Sequence, residues 1–235
     1  GSRGLGRASA LALADHGVDI ILTYRTGAEE AAAVVAELQA GGRTAVALPL
    51  DTTESQTFPT FADAVRTAQS KMGFDDVTAH HMALLAMEQF GRALASLRPG
   101  FALADSTAAV AGALQAGRVP VWAPLFMVSR APDIPASWDV TSDSLAAWLA
   151  GQLGAKRLLL IKHDVMVEPA DAGDLAARGV VDAAFPDFLH ASGAEAAIVA
   201  GHDHAAARAI IQGGGLPGYR ILVREAEARG LVSAP

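Results

Sequence analysis

No cysteine occurs in the 235 residues. That absence removes disulfides, thiolate nucleophiles and cysteine-based zinc sites together, so any catalysis falls to oxygen and nitrogen groups. Apolar runs stay short of the ~20 residues a spanning helix needs, and nothing near Gly1 reads as a basic-then-apolar export signal. A cytoplasmic globular protein is the expectation. Long runs of one charge are missing as well, and the net charge is −7. Duplex nucleic acid demands a basic footprint that this chain lacks, so neither nucleic acid nor a membrane is an expected partner. Lysine is scarce: Lys71, Lys156 and Lys162 are all there are among 18 basic residues.

What is present is apolar surface in periodic segments. With 51% hydrophobic residues, the chain can bury a substantial core. Leu5, Ala8, Leu11 and Ala12 recur at helical spacing over residues 5–16, and "HG" at 16–17 stops that helix. "VDIILTY" (18–24) reads as a buried strand, "GAEEAAAVVAELQAGG" (27–42) as a helix with acidic residues in its first turn, and "RTAVALPLD" (43–51) as a second strand. Helices are predicted from near Phe61 and over 78–97, a strand at "VPVWAPLF", a helix at "SDSLAAWLAGQLGA" and a strand at "KRLLLIKHD". "AAFPDFLHASG" and "DHAAARAIIQGG" read as helices around a strand "AAIVAG", and "GYRILV" closes the series. Strand and helix in alternation predict an α/β protein: a three-layer α/β/α sandwich with a mainly parallel, Rossmann-like central sheet.

The opening "GSRGLG", with a helix after it, resembles the later part of the short-chain dehydrogenase/reductase glycine loop, and Gly4 and Gly6 take its last two glycine positions. Glycines permit close backbone approach and a helix N-terminus favours an anion. The resemblance covers residues 1–57 and implies an NADP site in which Arg25 meets the 2′-phosphate and Asp51 the adenine. The family's acid is a Tyr followed four positions later by Lys. Here Tyr24 and Tyr219 are followed at that spacing by Ala28 and Val223, so the usual proton donor for hydride transfer is missing.

From about Phe61 to Val223 the chain resembles the amino acid kinase superfamily. "WDVTSDSLAAWLAGQLGAKRLLLIKHDV" (138–165) matches its Asp-before-helix segment and the nucleotide-binding strand, "FADAVR" (61–66) an earlier helix and "GVVDAAFPDFL" (179–189) a later segment. The finer pattern is similar to the branch that phosphorylates the aminomethylfuran methyl phosphate precursor of methanofuran-type cofactors. The resemblance implies ATP with Mg2+ and a small-molecule phosphate or carboxylate acceptor. It makes Asp143 the catalytic residue, holding cations near the transferring phosphates, and Ser142, Lys162 and Asp164 nucleotide-binding residues. The residues alone allow a plainer reading, in which Ser142 and Asp143 cap a helix and Lys162 is a solvated strand-end charge. No metal site is expected: His80 and His81 point apart on a helix, and "HDH" at 202–204 lacks identifiable partners. A homo-oligomer is the expected assembly, with the helical segment 76–98 either a candidate interface or an ordinary sheet-covering helix.

The two resemblances meet near residue 57. In the kinase family a Lys-x-Gly-Gly-Ser loop and a triple-glycine loop cradle phosphate and substrate, and here "DIILTYRTG" and "VALPLDTTESQTFPT" stand in their places. The domains expected are therefore a dehydrogenase-like fragment, 1–57, completing the sheet of a kinase-like body, 58–235, in one continuous chimeric domain. The function expected is a phosphotransferase of weak or absent turnover. An NADP-binding, non-catalytic module and a purely structural α/β protein are the alternatives.

Overall fold

A computed structural model describes residues 4–24, 26–49, 57–162, 169–200, 208 and 210–223. The chain divides into two compact units, Gly1–Ala136 and Ser137–Pro235.

In the first unit, α1 (Gly4–Asp15), β1 (Ile20–Tyr24), α2 (Ala28–Ala40) and β2 (Ala45–Pro49) follow the alternation read from the sequence. β1 and β2 pair in parallel, Ile20 opposite Ala45 and Tyr24 opposite Pro49. Ala10, Ile20, Leu22, Ala31, Val34, Leu38 and Ala45 form one buried cluster between this ladder and α1 and α2. Arg7 of α1 reaches Glu37 of α2 at 2.5 Å, an exposed pair of little energetic weight.

Next come α3 (Thr57–Met72), α4 (Asp76–Ser96), β3 (Phe101–Ala104), α5 (Thr107–Gln115), β4 (Val119–Trp122) and α6 (Leu125–Val128). α3 starts at Thr57, four residues ahead of the expected Phe61. Pro59 falls within its first turn, where an N–H has no intrahelical acceptor and is not missed. The strand expected over "VPVWAPLF" stops at Trp122. Ala123 donates its N–H to Ala104 O, Pro124 follows, and Leu125 and Phe126 open α6 instead. β3 and β4 form a parallel pair with α5 as the crossover. α4 covers this ladder: a Cβ on its Gly91 would sit 3.3 Å from Trp122 O and 3.6 Å from Val121 Cγ1. Asp75 caps α4 by accepting from Thr78 N at 2.8 Å. The Nε2 of His80 on α4 is buried and has no hydrogen-bond partner.

The second unit holds α7 (Ser142–Leu153), β5 (Arg157–Lys162), β6 (Ala170–Asp171), α8 (Ala172–Ala177), α9 (Phe185–Ser192), β7 (Glu195–Ala200) and β8 (Tyr219–Leu222). Its sheet runs β5-β7-β8-β6, with β5 parallel to β7, β6 parallel to β8, and β7 antiparallel to β8. Ala147, Leu160, Leu175, Val181, Phe185, Leu189, Ile198 and Ile221 belong to its core, which joins α7, α8 and α9 to the sheet. α7 approaches α9 closely because its facing residues are small: Ala147 is fully buried, and a Cβ on Gly151 would lie 3.4 Å from Ser192 Cα.

The protein is thus a mixed α/β fold with mainly parallel pairing and helices packed on the strands, as the alternation predicts. Among the described residues the strands hydrogen-bond in three groups, β1-β2, β3-β4 and the four-stranded sheet. No helix among them is long and apolar enough to cross a membrane.

Gly218 enters β8 at φ +84°, and a Cβ there would collide with the carbonyl oxygen of Ile198. Gly218→Ala should cost at least ~2 kcal/mol in denaturant unfolding, and an unchanged midpoint would contradict this packing. Burial holds the His80 imidazole below its ordinary value, with a smaller push from His81. The unfolded chain therefore takes up that proton first, and stability falls as pH drops below 6.5 through the depressed native value. His80→Gln should melt with a smaller loss between pH 7.5 and 5 than the parent chain, whereas equal losses would exclude His80 as the cause.

Candidate functional site

β5 carries a nearly continuous apolar run, "RLLLIK", whose last residue is charged. Leu160 is buried in the core, so Lys162, two residues on, shares its face and leaves the sheet at the carboxyl end of the strand. α7 begins beside that end. Its apolar residues Leu145, Ala147 and Trp148 are buried, and the helix is closed at Gly154, whose φ of 60° suits the left-handed stop. This packing also buries Asp143 and Ser144 in the first turn, at 8% and 0% exposure, while Ser142 is exposed.

Two buried polar side chains need partners. Asp143 Oδ2 accepts from Lys162 Nζ at 2.7 Å and from the Asp182 backbone N–H at 3.3 Å. Ser144 Oγ donates to Asp182 Oδ1. Asp182 Oδ2 accepts from Thr141 N at 3.0 Å, Thr141 Oγ1 at 2.9 Å and Ser144 N at 3.0 Å. The cap of α7 is therefore supplied by a carboxylate 41 residues away from Thr141 in sequence. That corrects the capping reading of Ser142 and Asp143: both lie inside the first turn, and Asp143 turns to Lys162 instead. Nor is Lys162 a solvated charge, since its side chain is 22% exposed and ion-paired.

Asp182 sits in the turn between α8 and α9, held by its apolar neighbours. Val181 and Phe185 are buried in the core, Phe185 N donates to Asp182 O, and Ala184 N donates to Asp139 O. Electrostatically the cluster is taut. Burial pushes the Asp143 carboxyl above its ordinary range, the Lys162 ammonium pulls it back, and the Asp182 carboxylate adds to the rise.

The other residues singled out in the sequence fall elsewhere. Gly4 and Gly6 lie in the first turn of α1. Arg25, Asp51, Asp164 and the histidines of "HDH" lie outside the described residues. No group of three or more His, Asp or Glu that could hold a metal occurs among the described residues. Trp148, on α7, is buried in the core. In the N-terminal unit a pocket of ≈ 440 Å³ opens next to β3, lined by Glu88, Arg92, Asp105, Phe126 and Arg130 among others. Its Arg130 guanidinium lies 3.9 Å over the Phe126 ring.

The model of the amino acid kinase family matches residues 31–165, more than half of the sequence, and spans both Asp143 and Lys162. The chain belongs to that family. The match begins inside the 1–57 segment and ends before Asp182. A search of curated proteins finds no match. Among solved structures, the acetoin dehydrogenase from Enterobacter cloacae is 18% identical over 87% of this chain and 93% of its own, with a TM-score of 0.29. A superposition that loose carries no argument about fold or activity.

Asp182 escaped the sequence reading. "GVVDAAFPDFL" was legible as a family segment, but nothing in its spacing ties position 182 to a helix start at 142. Removing the cation from the pair leaves a buried carboxylate facing a second one. Lys162→Met should therefore destabilise the chain by about 2–3 kcal/mol, below most of the ~3–5 kcal/mol range for a fully buried pair because Lys162 keeps some solvent. Asp143→Asn combined with Lys162→Met should recover much of that loss. Additive losses in the double-mutant cycle would show that the two groups are not coupled.

Proposed function

We propose that this chain is an ATP-dependent phosphotransferase acting on a small phosphate or carboxylate acceptor, with Asp143 as its catalytic residue and Ser142, Lys162 and Asp164 as its nucleotide-binding residues. The observation that carries the reading is the Asp143–Lys162 pair, 2.7 Å apart at the carboxyl end of a parallel strand and at the start of a helix. Ligands of open α/β folds gather at that edge. Phosphoryl transfer asks chiefly for positioning and for positive charge against phosphate oxygens.

The donor set suits a phosphate chain. Lys162 offers an ammonium at the strand end, while the N–H groups of Thr141 and Ser144 at the start of α7 are already taken by Asp182. Magnesium, which neutralises phosphate charge when bound, would arrive on the nucleotide and retain much of its water, in keeping with the lack of an all-protein cage among the described residues. Asp143 fixes where the Lys162 ammonium stands, so the cation is oriented before a phosphate arrives.

The "DIILTYRTG" and "VALPLDTTESQTFPT" stretches lack the lysine and triple-glycine loops of the kinase superfamily, so turnover should be weak. The acceptor fits the phosphate-bearing class suggested by the likeness to the aminomethylfuran methyl phosphate kinase branch.

A thermal melt with MgATP tests the reading. Nucleotide at about 100 times its dissociation constant adds roughly 2.7 kcal/mol, a rise of several degrees for a chain of this size. Lys162→Ala should abolish the rise. A parent chain that shows none, even at millimolar MgATP, would overturn the assignment.

A further inference from the structure

We infer that Asp182 is the positioning residue of this site: it joins the start of α7 to the Asp143–Lys162 pair and holds the lysine ammonium where a phosphate would meet it. The inference rests on the proposed phosphotransferase reading and adds to it a residue beyond the family match, which ends at 165.

The geometry gives Asp182 two separate attachments. Through its side chain it accepts four hydrogen bonds, from the N–H and hydroxyl groups of Thr141 and Ser144. Through its main chain it donates to Asp143 Oδ2, the same oxygen that receives Lys162 Nζ. Asp143 lies between Thr141 and Ser144, so clamping both flanking residues leaves the first turn little freedom to rotate. The Asp143 carboxylate is then held from two sides, by its own backbone and by the Asp182 N–H. Lys162 has four rotatable side-chain bonds and about 2 kcal/mol of rotamer entropy to lose. A carboxylate already fixed in place lowers the cost of ordering it.

A cap serving only the helix would need one acceptor for Thr141 or Ser144 and no bond to Asp143. The observed arrangement places one residue on both. Val181 and Phe185, buried on either side, anchor the turn that carries it.

The low lysine count makes the test direct. With Lys71, Lys156 and Lys162 the whole set, the side-chain ammonium signals in ¹⁵N-detected NMR can be assigned by single Lys→Arg variants. Slow hydrogen exchange at Lys162 reports its pairing without any nucleotide. In Asp182→Ala, at a temperature where the variant is folded by circular dichroism, the protected Lys162 signal should be lost and MgATP affinity should fall about tenfold. Asp182→Asn keeps an acceptor and the main-chain donor and should restore both to within about threefold. Should Asp182→Ala not fold, Ser144→Ala removes one of the four bonds and should weaken the Lys162 signal in the same direction.

A lowered melting temperature with the Lys162 signal and MgATP affinity intact would overturn the inference and leave Asp182 a helix cap alone. Loss of the Lys162 signal in a protein whose parent binds no MgATP would sustain the positioning role and overturn the phosphotransferase reading.

Discussion

The carboxylate of Asp182 against the first turn of α7 is the interaction on which the C-terminal unit depends. A helix start leaves backbone N–H groups without partners, and here the start is packed into the protein rather than left in water. Thr141 stands at the cap position without using its own side chain for the purpose; its hydroxyl donates to Asp182 instead. A distant acceptor therefore does the work of a local cap. That choice ties the α8–α9 turn to the α7 start, so the helix cannot dock without the turn.

The same contact makes a buried ion pair tolerable. Taking a carboxylate and an ammonium out of water is costly, and attraction between them offsets that cost only where the remaining lone pairs are also satisfied. Asp143 Oδ2 has both Lys162 and a backbone donor. Even so, burial leaves the carboxyl harder to ionise than in water. A pair held under that tension is poorly explained as a stabilising device, since apolar residues would serve the core as well. Under the proposed phosphotransferase reading its use is an oriented cation at the edge of a sheet.

Small residues set how close the supporting helices come. Ala147 and Gly151 lie one turn apart on α7 and let α9 approach, which brings Phe185 into the core and the preceding turn toward Asp143. In the N-terminal unit Gly91 allows the same closeness between α4 and the β3-β4 ladder. Through that contact α4 packs on the β3-β4 ladder.

Much of the secondary structure was legible because its signals are local. Apolar spacing marked α1; acidic residues in the first turn marked the start of α2; and the runs "VDIILTY", "KRLLLIKHD" and "AAIVAG" marked β1, β5 and β7. β3, with four residues between a glycine turn and a polar cap, was too short to carry a period, and Pro124 rather than hydropathy ended β4. Asp143 and Lys162 were singled out in the sequence through the family likeness and the strand-end position. Whether they met was not legible there, because a hydrogen bond between residues 143 and 162 depends on α7 lying back along β5. Asp182 was further out of reach. By itself the sequence determined many of the longer helices and strands and which edge of β5 carries charge, since both follow from periodicity and strand direction. Only the tertiary structure decided that a turn 41 residues beyond Thr141 caps α7 and grips Asp143, because that choice was made by the burial of Val181 and Phe185, not by any spacing along the chain.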